Sequence, residues 1–355
     1  LYRFEDNSYV YTNERWHRYS NNDMHRVEGT NLILPDGKVF SQIGAPERAP
    51  YAHMVIENID DIHPVARFAR ELVAQVPINT RDYTLFVPES KYIYMDIYNK
   101  NSFDKAPCII YAHGYGCPYS YLPSQLRSLY EEGFAIACLD LRNYPPNEFP
   151  DYIQDAKGCV RYVRAHSERF GIDPDRIGIY GSSLGGNTAL MLALTGDDVD
   201  LEGNIGGNED YSSKIQAAAC GYAWSDLLHM GLDISKEPAS SKEVVAKRVE
   251  MTEGEFSPSS ELIGFAGKGK GLEVLRKYAE SGEFDPVLQQ KLEQAYYASP
   301  IHHVSAAAPP IALFGGYGDD GCTIAFKQSL RTFDTLQEVG ALVYLFGNTC
   351  GKYGE

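Results

Sequence analysis

Gly181-Ser182-Ser183-Leu184-Gly185-Gly186 sets Ser183 between glycines two residues before and two residues after it. The motif directly follows the apolar run Arg176-Ile177-Gly178-Ile179-Tyr180 and directly precedes the apolar stretch Leu184 to Leu194. A strand that feeds a helix through so tight a turn leaves the serine hydroxyl standing free, and the small flanking residues let strand and helix approach closely. At a helix N-terminus the dipole and the unpaired N–H groups favour a developing anion. The chemistry that suits this arrangement is attack by Ser183 on a polarised carbonyl, with the Leu184 N–H receiving the oxyanion. Ser182 lacks the paired glycines and is the poorer candidate. A glycine-rich strand-to-helix turn without chemistry is the plain alternative for the motif.

The elements that must position this serine follow a regular rhythm from residue 81 onward. Strand-like runs at 83–87, 92–98, Cys108 to Ala112, Phe134 to Leu139, Arg176 to Tyr180, Ala217 to Tyr222, Pro310 to Phe314 and Ala341 to Phe346 alternate with helical patterns at 121–132, Tyr152 to Phe170 and from Ser183. Short apolar runs separated by longer helical stretches mark parallel strands with crossover helices, buried on both faces. The expected class is α/β, with a mostly parallel central sheet flanked by helices. Residues 231 to about 295 break the rhythm: they are charged and Gly- and Ser-rich, with helical patterns at 243–250, 271–281 and 286–297 and no buried strand, and they read as an insertion. Residues 1–80 are Tyr- and Asn-rich, with one helical pattern at Pro64 to Val76, and read as an N-terminal extension of an 81–355 domain.

Composition excludes several classes of function. The 355 residues carry a formal net charge of −16, which opposes a phosphate-backbone partner, because nucleic-acid affinity depends on clustered Lys and Arg. The longest apolar runs fall far short of the roughly 20 residues that span a bilayer. The N-terminal Leu1-Tyr2-Arg3-Phe4-Glu5-Asp6 has neither an initiator Met nor an apolar leader core, as in a chain whose leader is removed or that begins elsewhere. Seven scattered cysteines without CxxC spacing, several of them inside apolar runs, suit reduced core thiols and a cytoplasmic location. No metal-ligand motif and no cofactor fingerprint is present, and oligomeric state is not legible. Cys117, Cys322 and Cys350 all follow strand ends, which reads as coincidence rather than as a metal or disulfide site.

Tyr111-Ala-His-Gly-Tyr-Gly, Leu139-Asp-Leu-Arg-Asn-Tyr-Pro, Phe149-Pro-Asp-Tyr-Ile-Gln-Asp-Ala, Asp173-Pro-Asp-Arg-Ile-Gly-Ile-Tyr-Gly-Ser-Ser-Leu-Gly-Gly and Ala298-Ser-Pro-Ile together resemble the esterase/lipase branch of the α/β-hydrolases, in its acetyl-esterase and carboxylesterase-like members. The resemblance covers about 81–230 and 296–355. It implies hydrolysis of a small carboxylic ester by acyl transfer, and it makes 231–295 a helical cap over the acyl pocket. His113-Gly114-Tyr115-Gly116 then stands where the family has its HGGG loop, so the N–H of Gly114 or Tyr115 completes an oxyanion hole with Leu184. His113 in that motif is a structural hydrogen-bonding group. Counting from Gly315-Gly316 places the triad acid at Asp319, with Asp320 as the alternative and a turn-forming Asp-Asp-Gly as the bland reading.

One departure from the family is plain. After Ala341 to Phe346 the family carries its histidine, and here the chain reads Gly347-Asn348-Thr349-Cys350-Gly351, so Cys350 takes that position. None of the nine histidines follows Asp319. Three readings stay open: a histidine supplied by another loop, for which His229 is best placed; a catalytically degenerate hydrolase scaffold that binds rather than turns over; or a tail outside the given chain that carries the base. His302 and His303 are expected at the opposite edge of the sheet, and Asp226 as a helix N-cap, with an alternative acid as its lesser reading. A prolyl-oligopeptidase-like peptidase domain shares the elbow, but no propeller repeats precede it here.

Overall fold

A computed structural model describes residues 68–77, 90–100, 105–114, 122–142, 148–196, 198–255, 257–265 and 271–349, together with the backbone of five short strands nearer the N-terminus. Those five strands, Tyr2–Arg3 (β1), Tyr9–Val10 (β2), Arg26–Glu28 (β3), Asn31–Ile33 (β4) and Val39–Gln42 (β5), form an antiparallel sheet in the order β2-β1-β5-β4-β3. They belong to a compact unit, Leu1–Arg70, separate from the unit Glu71–Glu355.

The larger unit is built on an eight-stranded sheet. In chain order its elements are Phe68–Pro77 (β6), Ser90–Tyr98 (β7), Ala106–Ala112 (β8), Arg127–Glu131 (α1), Ala135–Leu139 (β9), Asp151–Ala165 (α2), Ser167–Phe170 (α3), Ile172–Ser182 (β10), Leu184–Leu194 (α4) and Ala217–Gly221 (β11). Met230–Lys236 (α5), Lys242–Glu253 (α6), Pro258–Leu262 (α7), Gly271–Ser281 (α8) and Pro286–Tyr297 (α9) follow, and Ile311–Tyr317 (β12), Phe326–Glu338 (α10) and Val343–Thr349 (β13) complete the set. The strand order is β13-β12-β11-β10-β8-β9-β7-β6, with β9 to β13 and β8 paired in parallel and β7 antiparallel to β9. The α/β class with a mostly parallel sheet is what the alternating pattern predicts.

Burial explains why these segments become what they are. Every residue of β9 is buried, as in a strand covered on both faces, and α4 is buried along its whole length, which its unbroken apolar sequence permits. Two expectations are corrected. The helix expected over Pro64 to Val76 is not found in its described part: Phe68–Pro77 is a strand of the large sheet, so these residues of the expected 1–80 extension belong to that sheet. Residues two apart share a face of a strand, and Glu71 and Val73 are both buried there. The Glu71 carboxylate is satisfied by Arg169 at 2.7 Å and by the Tyr162 hydroxyl at 2.9 Å, contacts between distant residues that no local periodicity reveals. The expected strand at 83–87 lies outside the described residues.

The tightest constraint in the sheet lies where α4 leaves β10. A Cβ placed on Gly185 would lie 1.9 Å from the Ala112 carbonyl oxygen, and one on Gly186 would lie 2.2 Å from that of Gly221. Helix α4 therefore rests directly on the backbones of β8 and β11. Gly185→Ala is expected to cost about 3 kcal/mol, at the severe end of overpacking. Urea unfolding measures this, and an unchanged midpoint would contradict the contact.

Candidate active site

Ser183 stands at the junction of β10 and α4 with φ 59° and ψ −120°, a conformation that L-residues avoid. Its backbone is pinned on both sides: its N–H donates to the Gly221 carbonyl at 2.9 Å, and its carbonyl accepts the Asn187 N–H at 2.9 Å. The side chain makes no capping bond to α4, which leaves the hydroxyl uncommitted. Ser182, by contrast, is the last residue of β10 and pairs in register with Gly221. The distinction between the two serines is thus one of backbone, with one in the ladder and one on the turn.

The oxyanion candidates surround that turn. Leu184 opens α4 and is fully buried, so its N–H lies at the positive end of an apolar helix. Gly114 follows β8, whose parallel pairing brings Ala112 beside Gly181. The buried His113 donates from Nδ1 to the Gly114 carbonyl at 2.8 Å, a bond inside the loop. Tyr115 lies outside the described residues, as does Cys117.

Asp319 follows β12 and is buried. Its Oδ1 accepts the Gly321 N–H at 2.9 Å, while its Oδ2 is buried with no hydrogen-bond partner among the described residues. A carboxylate oxygen buried in that state is costly unless another group completes it. Asp320 differs in every respect. It is exposed, its Oδ1 accepts the Ser240 N–H at 3.0 Å, and its bonds to Ser240 hold its carboxyl below the usual carboxylate range. Asp320 ties the insertion to the acid loop, and Asp319 is left with an open oxygen.

The histidine candidates sort as clearly. His229 pairs through Nδ1 with Asp226 at 2.7 Å, its side chain half exposed, and it is not among the described residues lining the cavity at Ser183. Asp226 does not cap the following turn through its side chain; it serves His229 instead, with Arg331 at 3.8 Å. His302 is not at the far edge. It lies close enough to Asp226 and His229 to feel both, and burial holds its pKa below the ordinary imidazole value. Cys350 lies outside the described residues, immediately beyond the end of β13. Cys322 is a buried free thiol whose pKa burial pushes up to about 12, and Sγ accepts the Ile324 N–H.

A cavity of about 590 Å³ opens over Ser183 and Leu184. Trp224, Met230, Met251, Leu262 and Ile324 give it apolar walls, and α6, α7 and their connection supply one side of it. Sequence reasoning missed what holds this side in place. Arg248 on α6 is buried, its Nε donates to the Cys322 carbonyl at 2.6 Å, and its guanidinium pairs with Glu237 at 2.8 Å. Glu237 in turn accepts the Phe326 N–H at 2.7 Å. The insertion and the loop bearing Asp319 are thereby one hydrogen-bonded assembly. Charged residues in an exposed-looking helical segment gave no signal of this, since only the fold brings residue 248 to residue 322. Among the described residues no cluster of His, Cys, Asp and Glu could hold a metal ion, and no helix is long and apolar enough to cross a membrane.

The BD-FAE family model matches residues 95–336. A probable carboxylic ester hydrolase, LipM, of Mycobacterium tuberculosis is 26% identical over 211 residues, 59% of this chain and 39% of that protein. A probable isoprenylcysteine alpha-carbonyl methylesterase, ICMEL1, of Arabidopsis thaliana is 26% identical over 255 residues, 70% of this chain and 45% of its own. The chain thus spans less than half the length of either curated relative. Among solved structures, a truncated carbohydrate esterase from gut microbiota superposes with a TM-score of 0.52 at 21% identity, covering 79% of this chain and 88% of that one. Thermogutta terrifontis esterase 2 gives 0.51 at 20% identity, covering 82% and 85%. These likenesses carry the fold.

The open oxygen of Asp319 separates stability from function. Asp319→Asn keeps the acceptor for Gly321 and removes a poorly paired buried charge, so the variant is expected to be as stable as the parent or more so, by up to about 1 kcal/mol. Any ester hydrolysis should fall at the same time. A Tm drop of several degrees would make Asp319 a structural residue instead.

Proposed function

The chain belongs to the BD-FAE family, and from that membership we propose that it is a serine-dependent carboxylic ester hydrolase acting on small-molecule esters. The observation that carries this reading is Ser183, held at φ 59° on a buried elbow, with its hydroxyl uncommitted and facing a cavity. Backbone strain of this kind costs on the order of 1–3 kcal/mol and persists where the surroundings over-determine it. Here Gly221 and Asn187 fix the backbone on either side. The family's named relatives are ester hydrolases, which supports the same chemistry. The buried free thiols suit a reducing compartment, and we place the protein in the cytoplasm on that ground.

In this reading Ser183 Oγ attacks the ester carbonyl, and the charge on the carbonyl oxygen is received by the Leu184 N–H together with that of Gly114 or Tyr115. The alcohol leaves, and water then hydrolyses the acyl-serine. Asp319 would orient the base through its open oxygen. The base is where this chain departs from its family, because Cys350 stands in the histidine's sequence position. A neutral thiol is a poor base, and a thiolate would face Asp319 as a like charge. Turnover is therefore slow, limited to what the oxyanion hole and binding supply, about 10³- to 10⁴-fold over water. His229 is the competing base: Asp226 holds its Nδ1 as a triad acid would, but it is not among the described residues lining the cavity at Ser183, which speaks against it.

Hydrolysis of a short-chain aryl ester tests this directly. Ser183→Ala should abolish the protein-dependent rate. Cys350→His should raise it by at least about tenfold, a barrier change of roughly 1.4 kcal/mol. His229→Ala should leave the rate of the unmodified protein unchanged. High starting activity that disappears with His229 would make that imidazole the base. A protein that binds esters and turns none over, before or after Cys350→His, is a hydrolase-like binding protein.

A further inference from the structure

The charge of the cavity above Ser183 is one-sided. Glu250 at the end of α6 and Glu255 just beyond it both line this space, and among the described residues lining it there is no Lys, Arg or His. The neighbouring Glu253 is committed elsewhere: it pairs with Arg276 at 2.6 Å and accepts the Gly231 N–H at 3.0 Å. Glu250 and Glu255 make no such bonds; neither carboxylate has an ion-pair or hydrogen-bond partner among the described residues. Nearby Arg248 does not neutralise them, because its guanidinium is turned to Glu237 and the Cys322 carbonyl.

A second observation points to an occupant. Trp224 lines the same cavity and is only 5% exposed, yet its Nε1–H has no hydrogen-bond partner among the described residues. A buried indole N–H without an acceptor is a donor waiting for one, and an ester or ether oxygen would serve. Trp224, Met230 and Met251 add polarisable apolar contact of the kind that accepts alkylammonium groups.

We propose that this cavity selects cationic substrates: esters carrying an ammonium group on the alcohol or acyl side, with the charge held by Glu250 and Glu255 and an oxygen of the ligand held by Trp224 Nε1. The proposal rests on the ester-hydrolase reading for the word substrate, while its selectivity is a property of the cavity alone. A negatively charged ester meets two carboxylates at the cavity mouth, Glu250 exposed and Glu255 half-buried, and is disfavoured, and the net charge of −16 adds to that repulsion. A neutral polyol can hydrogen-bond the same carboxylates but gains no charge attraction from them.

The test reads binding rather than turnover, so that it stands apart from the question of the base. In a Trp16→Phe background, emission reports Trp224, the other of the chain's two tryptophans. Benzyltrimethylammonium, phenyl glucoside and phenylacetate are titrated at low and high salt. The cation should bind at least about tenfold more tightly than the anion at low salt, with the neutral glucoside between them, and salt should narrow the gap. The double variant Glu250→Gln/Glu255→Gln should collapse the ranking, whereas Glu283→Gln, exposed and outside the cavity lining, should not. The proposal is overturned if the glucoside binds tightest, if the ranking survives in the double variant, or if none of the ligands binds. Absence of all ester turnover alongside an intact ranking would count against the hydrolase reading and leave the cation selectivity standing.

Discussion

The contact on which the rest of the site depends is backbone against backbone. Helix α4 leaves β10 so close to its neighbours that even one methyl group at residue 185 would overlap the Ala112 carbonyl. That proximity forces Ser183 into the left-handed region and hands its N–H to the Gly221 carbonyl. It also sets the N-terminus of a wholly buried helix beside the hydroxyl, where low dielectric strengthens the helix-end field. The three parallel strands β8, β10 and β11 thus do more than fill a core: their registers, Gly181 beside Ala112 and Ser182 beside Gly221, keep Ser182 in the ladder and put Ser183 on the turn.

The second layer of organisation joins the insertion to the acid loop. Arg248, Glu237 and the backbone of Cys322 and Phe326 form a buried charged network between α6 and the segment after β12. Removing one partner of such a pair strands a buried charge, so each group of the network depends on the others. On the opposite side, Asn187 fastens α4 to the loop of Trp224, with its amide donating to the Trp224 carbonyl at 3.1 Å and its oxygen accepting the Tyr152 hydroxyl at 2.7 Å. The cavity is framed by these two fastenings, one ionic and one neutral.

Much of this was legible in the sequence, for reasons that differ by element. Parallel strands read as short apolar runs, so β8 to β12, the half-exposed edge strand β13 and α4 could all be placed within a few residues. The elbow announced itself because steric demands at 181 and 185 admit only glycine. Phe68–Pro77 misled because its apolar residues also fit a helical spacing, and the distant Arg169 and Tyr162 that satisfy Glu71 decide the matter. Trp224, Glu250 and Glu255 were not singled out, since a cavity is made by elements that only tertiary packing brings together. Asp226 and His302 were assigned by their neighbours in sequence, whereas His229 and the loop before β12 determine their surroundings. Asp319 and Asp320 could be listed as a pair but not told apart, because one buried oxygen and one bond to Ser240 distinguish them.

The central claim is that the strained residue on the elbow is the reacting nucleophile. The most direct measurement is mass mapping after exposure to a fluorophosphonate, which reacts covalently with an activated serine and needs no later deacylation. The account predicts a single phosphonylated peptide modified at Ser183, formed slowly in the unmodified protein and faster after Cys350→His. Modification at Ser182, or labelling that persists in Ser183→Ala, would contradict it.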